Sequence, residues 1–140
     1  MKILVAVDGS AYAKRMVAYL AAHDEWLGPQ HQYTVLTVVP AVPTRAAAVF
    51  DKETLQAYYD DESEKAFKPV RGTLKKLGIN VEYVAKVGNA AELIGKTADR
   101  GKYDLLVMGS RGLGSLGNLV LGSVVTKVLA QCETPVLLVR

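Results

Sequence analysis

An α/β fold is the architecture that this sequence predicts, with an open parallel sheet of five strands in the order 3-2-1-4-5 and helices on both faces. Short apolar runs typical of buried strands alternate strictly with helical patterns, and such alternation with right-handed crossovers produces a parallel sheet covered on both sides. The first run, residues 2–7, is apolar on both faces and rich in β-branched residues, which is typical of a central strand. With that strand in the centre, the order reverses between strands 1 and 4, and ligands of such sheets bind at this reversal.

The individual elements follow from the spacing of apolar residues and from the turn residues between them. Strands are predicted at residues 2–7, 33–39, 80–87, 104–108 and 136–139, and helices at residues 11–22, 52–77, 90–100 and 124–131. Pro69 lies inside the second helix and should kink or split it. Residues 40–50 contain two prolines and are predicted to be irregular. The third strand alternates between apolar and polar residues, which indicates a half-exposed edge position.

Composition favours a single domain that spans residues 1–140. The net charge is +3, but the basic residues are scattered, and a nucleic-acid interface requires them to be clustered on one face. Cys132 is the only cysteine, which excludes a disulfide framework and a cysteine-based metal site. No apolar run approaches the ~18 residues of a membrane span. We therefore expect a soluble cytoplasmic protein that binds neither nucleic acid nor membranes.

The segment between the fourth strand and the last helix is rich in glycine. Residues 109–123 carry five glycines and three serines, whereas such a connection normally has roughly two to six residues. Glycine lets the backbone approach a ligand closely, and Gly122-Ser123 lies where the helix begins, with its free N–H groups and positive dipole end. This combination is typical of an anion site, most simply for phosphate. Asp8 follows the first strand and would face this segment across the crevice.

The positions of these glycines in the chain exclude two common phosphate-binding motifs. Residues 112–117 match G-x-G-x-x-G, but they follow the fourth strand, whereas the dinucleotide fingerprint follows the first. A P-loop needs a lysine directly before its serine or threonine, and Gly122 occupies that position here. The pattern that is present is G-x2-G-x9-G-[ST], formed by Gly109, Gly112, Gly122 and Ser123.

With this motif the sequence resembles the ATP-binding branch of the universal stress protein family. The resemblance covers the whole chain and includes Val7-Asp8-Gly9-Ser10, the turn at Val87-Gly88, and the segments DLLVMGSRG, LGSVVTKVL and TPVLLVR. It implies a Rossmann-like α/β fold and a homodimer that acts in stress response or signalling. It also implies binding of ATP, or of ADP or AMP, with little or no catalysis.

The resemblance further implies roles for individual residues. Asp8 would contact the ribose or phosphate side of the nucleotide, with an indirect contact to Mg²⁺ also implied. The residues implied beside the base and sugar are Ala6, Val7, Val38, Met108 and Gly109. Those implied around the phosphates are Arg111, Gly112, Gly122, Ser123 and Val124. Some family members carry proline where this chain has Ala6, and no catalytic residue is assigned.

Several of these residues also have a purely structural interpretation. The glycine-rich segment could be a connection that holds no ligand, and Asp8 or Ser123 could simply cap a helix. Arg111 could be a solvated loop charge, because arginine is mostly exposed. These alternatives stay open on the sequence alone.

These observations lead to three alternative hypotheses for the function. The first is a nucleotide-binding or signalling module, because the sequence supplies a phosphate cradle but no evident base placed to activate water. The second is an interaction dimer with a vestigial nucleotide site, and the third is a slow Mg²⁺-dependent ATPase in which Asp8 holds the metal. Dimerisation is expected through Val136–Val139, an apolar edge strand without a lysine or proline to block pairing with a second copy.

Overall fold

A computed structural model of the chain describes residues 1–112 and 121–140. Within these ranges the strands are β1 (Lys2–Ala6), β2 (Gln32–Val39), β3 (Val81–Val87), β4 (Leu105–Gly109) and β5 (Val136–Val139). They form one sheet in the order β3-β2-β1-β4-β5, and each neighbouring pair is parallel. The predicted strand order is confirmed, including the reversal between β1 and β4 and the edge position of β3.

The helices of the described ranges are α1 (Ala11–Ala22), α2 (Asp24–Leu27), α3 (Thr44–Ala47), α4 (Lys52–Lys76), α5 (Ala90–Arg100) and α6 (Ser123–Gln131). Four of them match the predicted helices to within a residue at each end. The single-turn helices α2 and α3 were not predicted, and α3 corrects the irregular interpretation of residues 40–50. One turn is too short to display the apolar periodicity on which helix prediction depends.

Side chains of β1 alternate between two hydrophobic cores, which explains why this strand is apolar throughout. Ile3 and Val5 join a core with α1 and α4, whereas Leu4 and Ala6 join a second core with α5 and α6. The α1 residues buried in the first core are Ala13, Met16, Val17 and Leu20. Helices therefore cover both faces of the sheet, as predicted.

Pro69 does not split its helix, because α4 runs through it as a single helix of 25 residues. A proline removes the hydrogen bond to the carbonyl four residues earlier, which here belongs to Lys65. Buried residues on both sides of the proline hold the helix against the sheet, and they include Ala66, Phe67, Val70 and Leu74. Packing of this apolar face outweighs the local cost of Pro69, so the predicted split is wrong.

Among the described residues, none of the helices is both long enough and apolar enough to cross a membrane.

Candidate functional site

A pocket opens where β1 and β4 end side by side, at the reversal of strand order. Its lining includes every residue for which the sequence implied a ligand contact, namely Ala6, Val7, Asp8, Val38, Met108, Gly109, Arg111, Gly112, Gly122, Ser123 and Val124. These residues come from the ends of β1, β2 and β4 and from the start of α6. The fold thus brings together residues that are more than a hundred positions apart in the sequence.

Six further residues line the pocket without having been predicted: Ser10, Tyr12, Met16, Ala90, Ile94 and Val125. Ser10 precedes α1, and the others lie in the first two turns of α1, α5 and α6, the helices that follow β1, β3 and β4. The sequence places the start of a helix after a parallel strand at the carboxyl edge of the sheet, but it does not tell which side chains there line a pocket. The family motif alone does not include them.

One wall of the pocket is apolar and continuous with the second hydrophobic core. Ala6 and Met108 reach it from the sheet, and Ile94 and Val125 reach it from the helices. Val38 and Ala90 pack against the same core as partly buried residues. Such a surface suits a flat apolar group that is oriented mainly by backbone polar atoms.

The opposite side of the pocket contains the polar residues that follow β1. Gly9 has φ of 82°, a conformation that favours glycine, and the chain turns there between Asp8 and Ser10. The carboxylate Oδ1 of Asp8 accepts a hydrogen bond from the backbone N–H of Ser10 at 2.9 Å. Ser10 is the N-cap residue of α1, so Asp8 braces the start of this helix without being its cap.

Glycines let the segment after β4 lie close to these residues. A Cβ atom at Gly112 would lie 2.2 Å from Oδ2 of Asp8, and one at Gly109 would lie 2.8 Å from the Cβ of Tyr12. Both distances are shorter than side-chain carbon atoms tolerate. At Gly109 the obstacle is the Cβ of Tyr12, which cannot turn away, so close approach alone requires glycine; at Gly112 a Cβ would displace the carboxylate of Asp8.

The start of α6 lies against the same segment. Gly122 is the N-cap residue of α6, which corrects the interpretation of Ser123 as the cap, and Ser123 is the first residue of the helix. The N–H of Gly122 donates to the carbonyl of Ser110 at 2.8 Å, while the N–H of Ser110 donates to Val139 of β5 at 2.9 Å. Ser110 thus fixes both the start of α6 and the end of the edge strand.

Arg111 is not a fully solvated loop charge. Its residue is half-buried, and its Nε atom is buried without a hydrogen-bond partner among the described residues. A guanidinium N–H can only donate, so this atom requires an acceptor. Together with the N–H groups at the start of α6, it gives this end of the pocket the character of an anion site.

Asp8 is the carboxylate that lines the pocket. Among residues 1–112 and 121–140, there is no group of three or more His, Cys, Asp or Glu residues that could hold a metal ion by themselves. A single carboxylate can still hold Mg²⁺ when phosphates and water supply the other oxygen ligands. Gly114 and Gly117, which complete the glycine-rich segment of the sequence, lie outside the described residues.

Comparison with known proteins assigns a family to this arrangement. The model of the universal stress protein family matches residues 1–140. The chain belongs to the universal stress protein family. A relative from Thermus aquaticus, the universal stress protein in the QAH/OAS sulfhydrylase 3′ region, is 37% identical over 139 residues, which cover 99% of this chain and 97% of the relative.

Solved structures of universal stress proteins share the fold and include complexes with adenine nucleotides. A complex with cAMP has a TM-score of 0.70 and 24% identity, and the match covers 100% of this chain and 97% of the other. A complex with dAMP from Archaeoglobus fulgidus has a TM-score of 0.70 and 20% identity, with 100% and 98% covered. An Arabidopsis thaliana protein with AMP bound has a TM-score of 0.68 and 20% identity, with 99% and 90% covered. At these identities the likeness establishes the fold of the chain.

Proposed function

We propose that this chain is a single nucleotide-binding domain, residues 1–140, which binds ATP or a related adenine nucleotide in the pocket between β1 and β4. One observation carries the proposal: the four fixed positions of the G-x2-G-x9-G-[ST] motif, Gly109, Gly112, Gly122 and Ser123, line the same pocket as Asp8 and Val38. Fold relatives with cAMP, AMP or dAMP bound support an adenine nucleotide as the ligand.

In this proposal the nucleotide lies across the pocket from its apolar wall to the start of α6. Adenine packs among Ala6, Val38 and Met108, and the backbone of Val38 provides its polar contact. Val7 and Gly109 lie beside the ribose. The phosphates lie among Arg111, Gly112, Gly122, Ser123 and Val124, where Arg111 and the N–H groups of α6 donate to them.

Mg²⁺ fits this arrangement as an ion shared between Asp8 and the phosphates. Mg²⁺ is usually bound by one or two carboxylates together with substrate phosphates and water, because it gives up its hydration shell reluctantly. The carboxylate of Asp8 lies against Gly112, on the phosphate side of the pocket. The ion would neutralise the repulsion between Asp8 and the phosphates.

Binding, and not efficient catalysis, is the activity that these residues support. The described lining of the pocket contains no histidine or lysine. Its carboxylate, Asp8, accepts a hydrogen bond from the N–H of Ser10 and in this proposal faces the phosphates. We therefore assign the protein a role as a cytoplasmic binding or signalling module of the stress response, active as a homodimer through β5.

The proposal is tested by nucleotide release and by titration. Denaturing the purified protein should release an adenine nucleotide, or ATP should bind in calorimetry in the presence of Mg²⁺. A Cβ at Gly122 would lie 3.4 Å from the Cα of Arg111, an ordinary contact, so the backbone accepts a side chain there, but a large one would occupy the proposed phosphate site. Gly122→Leu should therefore abolish binding while the circular dichroism spectrum stays unchanged.

Two results would replace this proposal by one of its alternatives. A stable dimer that binds no nucleotide at millimolar ATP would indicate an interaction protein with a vestigial site. ATP hydrolysis that persists through purification and disappears in Asp8→Ala would indicate a slow Mg²⁺-dependent ATPase.

A further inference from the structure

Ser10 has a hydroxyl group that the fold itself does not use. As the N-cap residue of α1 it occupies the position where a serine side chain normally accepts a hydrogen bond from the first turn, yet its side chain makes no capping bond. Its Oγ atom is buried and has no hydrogen-bond partner among the described residues. Burial of an unpaired hydroxyl costs on the order of 1–3 kcal/mol, so an unused hydroxyl at this position requires an explanation.

The surroundings of Ser10 show which kind of group would satisfy this hydroxyl. Ser10 lines the pocket, and its own N–H is already bonded to Oδ1 of Asp8. The other oxygen of Asp8 lies against Gly112, which is one residue from Arg111. Ser10 therefore lies on the polar side of the pocket, next to Asp8.

Ser10 and Arg111 both line this pocket, and each has a buried polar side-chain atom without a hydrogen-bond partner among the described residues. The Nε atom of Arg111 and the Oγ atom of Ser10 are the two buried side-chain polar atoms without a partner in the described parts of the chain. Nε can only donate, and a hydroxyl can donate as well. A ligand group with several acceptor oxygens can satisfy both atoms, and a phosphoryl group has this chemistry.

We infer that Ser10 is a ligand-binding residue whose hydroxyl donates a hydrogen bond to a phosphoryl oxygen of the bound nucleotide. The inference rests on the proposed function and extends the phosphate site beyond the family motif to the start of α1. It differs from a structural role for Ser10, because a structural hydroxyl would be bonded within the fold, whereas Oγ of Ser10 makes neither a capping bond nor another hydrogen bond among the described residues.

Ser10→Ala tests the inference, with Ser63→Ala as a matched control. Ser63 is also buried, but its Oγ donates to the carbonyl of Tyr59 at 2.8 Å, and it does not line the pocket. Binding of ATP, AMP and adenosine is measured by calorimetry for both variants and for the unchanged protein. Thermal unfolding of the empty proteins is measured in parallel.

Ser10→Ala should weaken binding of ATP and AMP roughly tenfold or more, because a hydrogen bond to a charged oxygen is lost. Binding of adenosine should change less than about twofold, since adenosine has no phosphate. The midpoint of unfolding of empty Ser10→Ala should be unchanged or raised, because an unpaired buried hydroxyl is removed. Ser63→Ala should leave nucleotide binding unchanged.

Several results would overturn the inference. Equal binding of ATP by Ser10→Ala and the unchanged protein would exclude a contact with the hydroxyl. An equal loss for adenosine would move the contact to the nucleoside, and a lower unfolding midpoint for empty Ser10→Ala would make the hydroxyl structural. If the unchanged protein binds none of the three ligands, the proposed function itself fails, which separates the two conclusions.

Discussion

Gly112 is the residue at which the segment after β4 meets Asp8. An added Cβ would lie 2.2 Å from Oδ2 of Asp8, so even alanine forces this carboxylate or the backbone to move. We expect Gly112→Ala to weaken ATP binding about tenfold or more, since both groups belong to the proposed phosphate side. Calorimetric titration with ATP and Mg²⁺ would measure this change.

Gly72 provides the control for this substitution. It lies within α4, and an added Cβ there would meet no atom within 4 Å. Gly72→Ala should raise the free energy of unfolding by roughly 0.5–1 kcal/mol, because glycine is unfavourable inside a helix, and ATP affinity should stay the same. Normal ATP binding by Gly112→Ala would mean that the close approach to Asp8 has no role in ligand binding.

At the residue scale, the motif identified residues that line one pocket, whereas other lining residues lie outside the motif. The close approach of Tyr12 explains why glycine occurs at Gly109 even without a ligand. Ser10 was not predicted as a site residue, because its unpaired hydroxyl becomes visible only when the surrounding atoms are placed. The contact between Tyr12 and Gly109 likewise becomes visible only when the atoms are placed.

Asp99 connects two elements, the end of α5 and the start of β5. Its carboxylate accepts hydrogen bonds from the hydroxyl of Thr134 at 2.8 Å, from the N–H of Thr134 at 3.0 Å and from the N–H of Glu133 at 3.2 Å. The hydroxyl of Thr134, followed by the N–H of Glu133, lowers the pKa of Asp99 below its ordinary value. The ionised form is therefore favoured by folding.

This lowered pKa makes stability depend on acid pH. In the unfolded chain Asp99 titrates near its ordinary pKa of about 3.9, and in the folded protein it titrates at a lower pH. Its contribution to the free energy of unfolding is then fully present above about pH 4 to 5 and is lost as the pH falls through the folded pKa. Asp99→Asn should be less stable than the unchanged protein at pH 7, and the difference should shrink at pH 3.

Urea unfolding at the two pH values would measure this effect, with Glu82→Gln as a control. Glu82 is exposed on β3 at the far edge of the sheet. Its replacement changes the net charge by the same amount as Asp99→Asn and therefore shows the effect of charge alone. A constant stability difference for Asp99→Asn across this range would contradict a role for the ionised carboxylate.

At the level of elements, periodicity predicted those helices and strands that bury one continuous face. The four apolar residues at helical spacing in α1 are all buried. Pro69 shows the limit of this reasoning, because local propensity predicted a break in α4 and tertiary packing decided the outcome. A sequence rule gives the cost of one missing hydrogen bond but not the packing energy that offsets it.

For the molecule as a whole, β5 is the open edge on the side of the pocket. The carbonyl of Pro135 accepts a hydrogen bond from Leu106 of β4, and that of Val139 accepts one from Ser110, the residue after β4. Since the N–H and C=O groups of successive residues alternate sides along a strand, Leu138 directs its N–H away from β4. The backbone groups of Val136 and Leu138 are therefore the ones available to a second copy.

Leu138→Pro tests the proposed homodimer at this edge. Proline removes an N–H that faces away from β4, a position that an edge strand tolerates, so the variant should remain folded and become monomeric. Leu137→Pro is the contrasting variant, because its N–H faces β4 and its loss should destabilise the monomer itself. Sedimentation equilibrium and circular dichroism would distinguish the two. A folded Leu138→Pro that remains dimeric would exclude pairing through β5.

Ser110 joins the pocket to this edge strand through the two hydrogen bonds of its backbone. Its carbonyl accepts from the N–H of Gly122, the N-cap residue of α6, and its N–H donates to Val139, the last residue of β5. If nucleotide binding shifts Ser110, the free energy of dimer formation must change, and thermodynamic reciprocity requires the same change in nucleotide affinity on dimerisation. The protein would then report nucleotide concentration as an assembly equilibrium, without any need to consume the nucleotide.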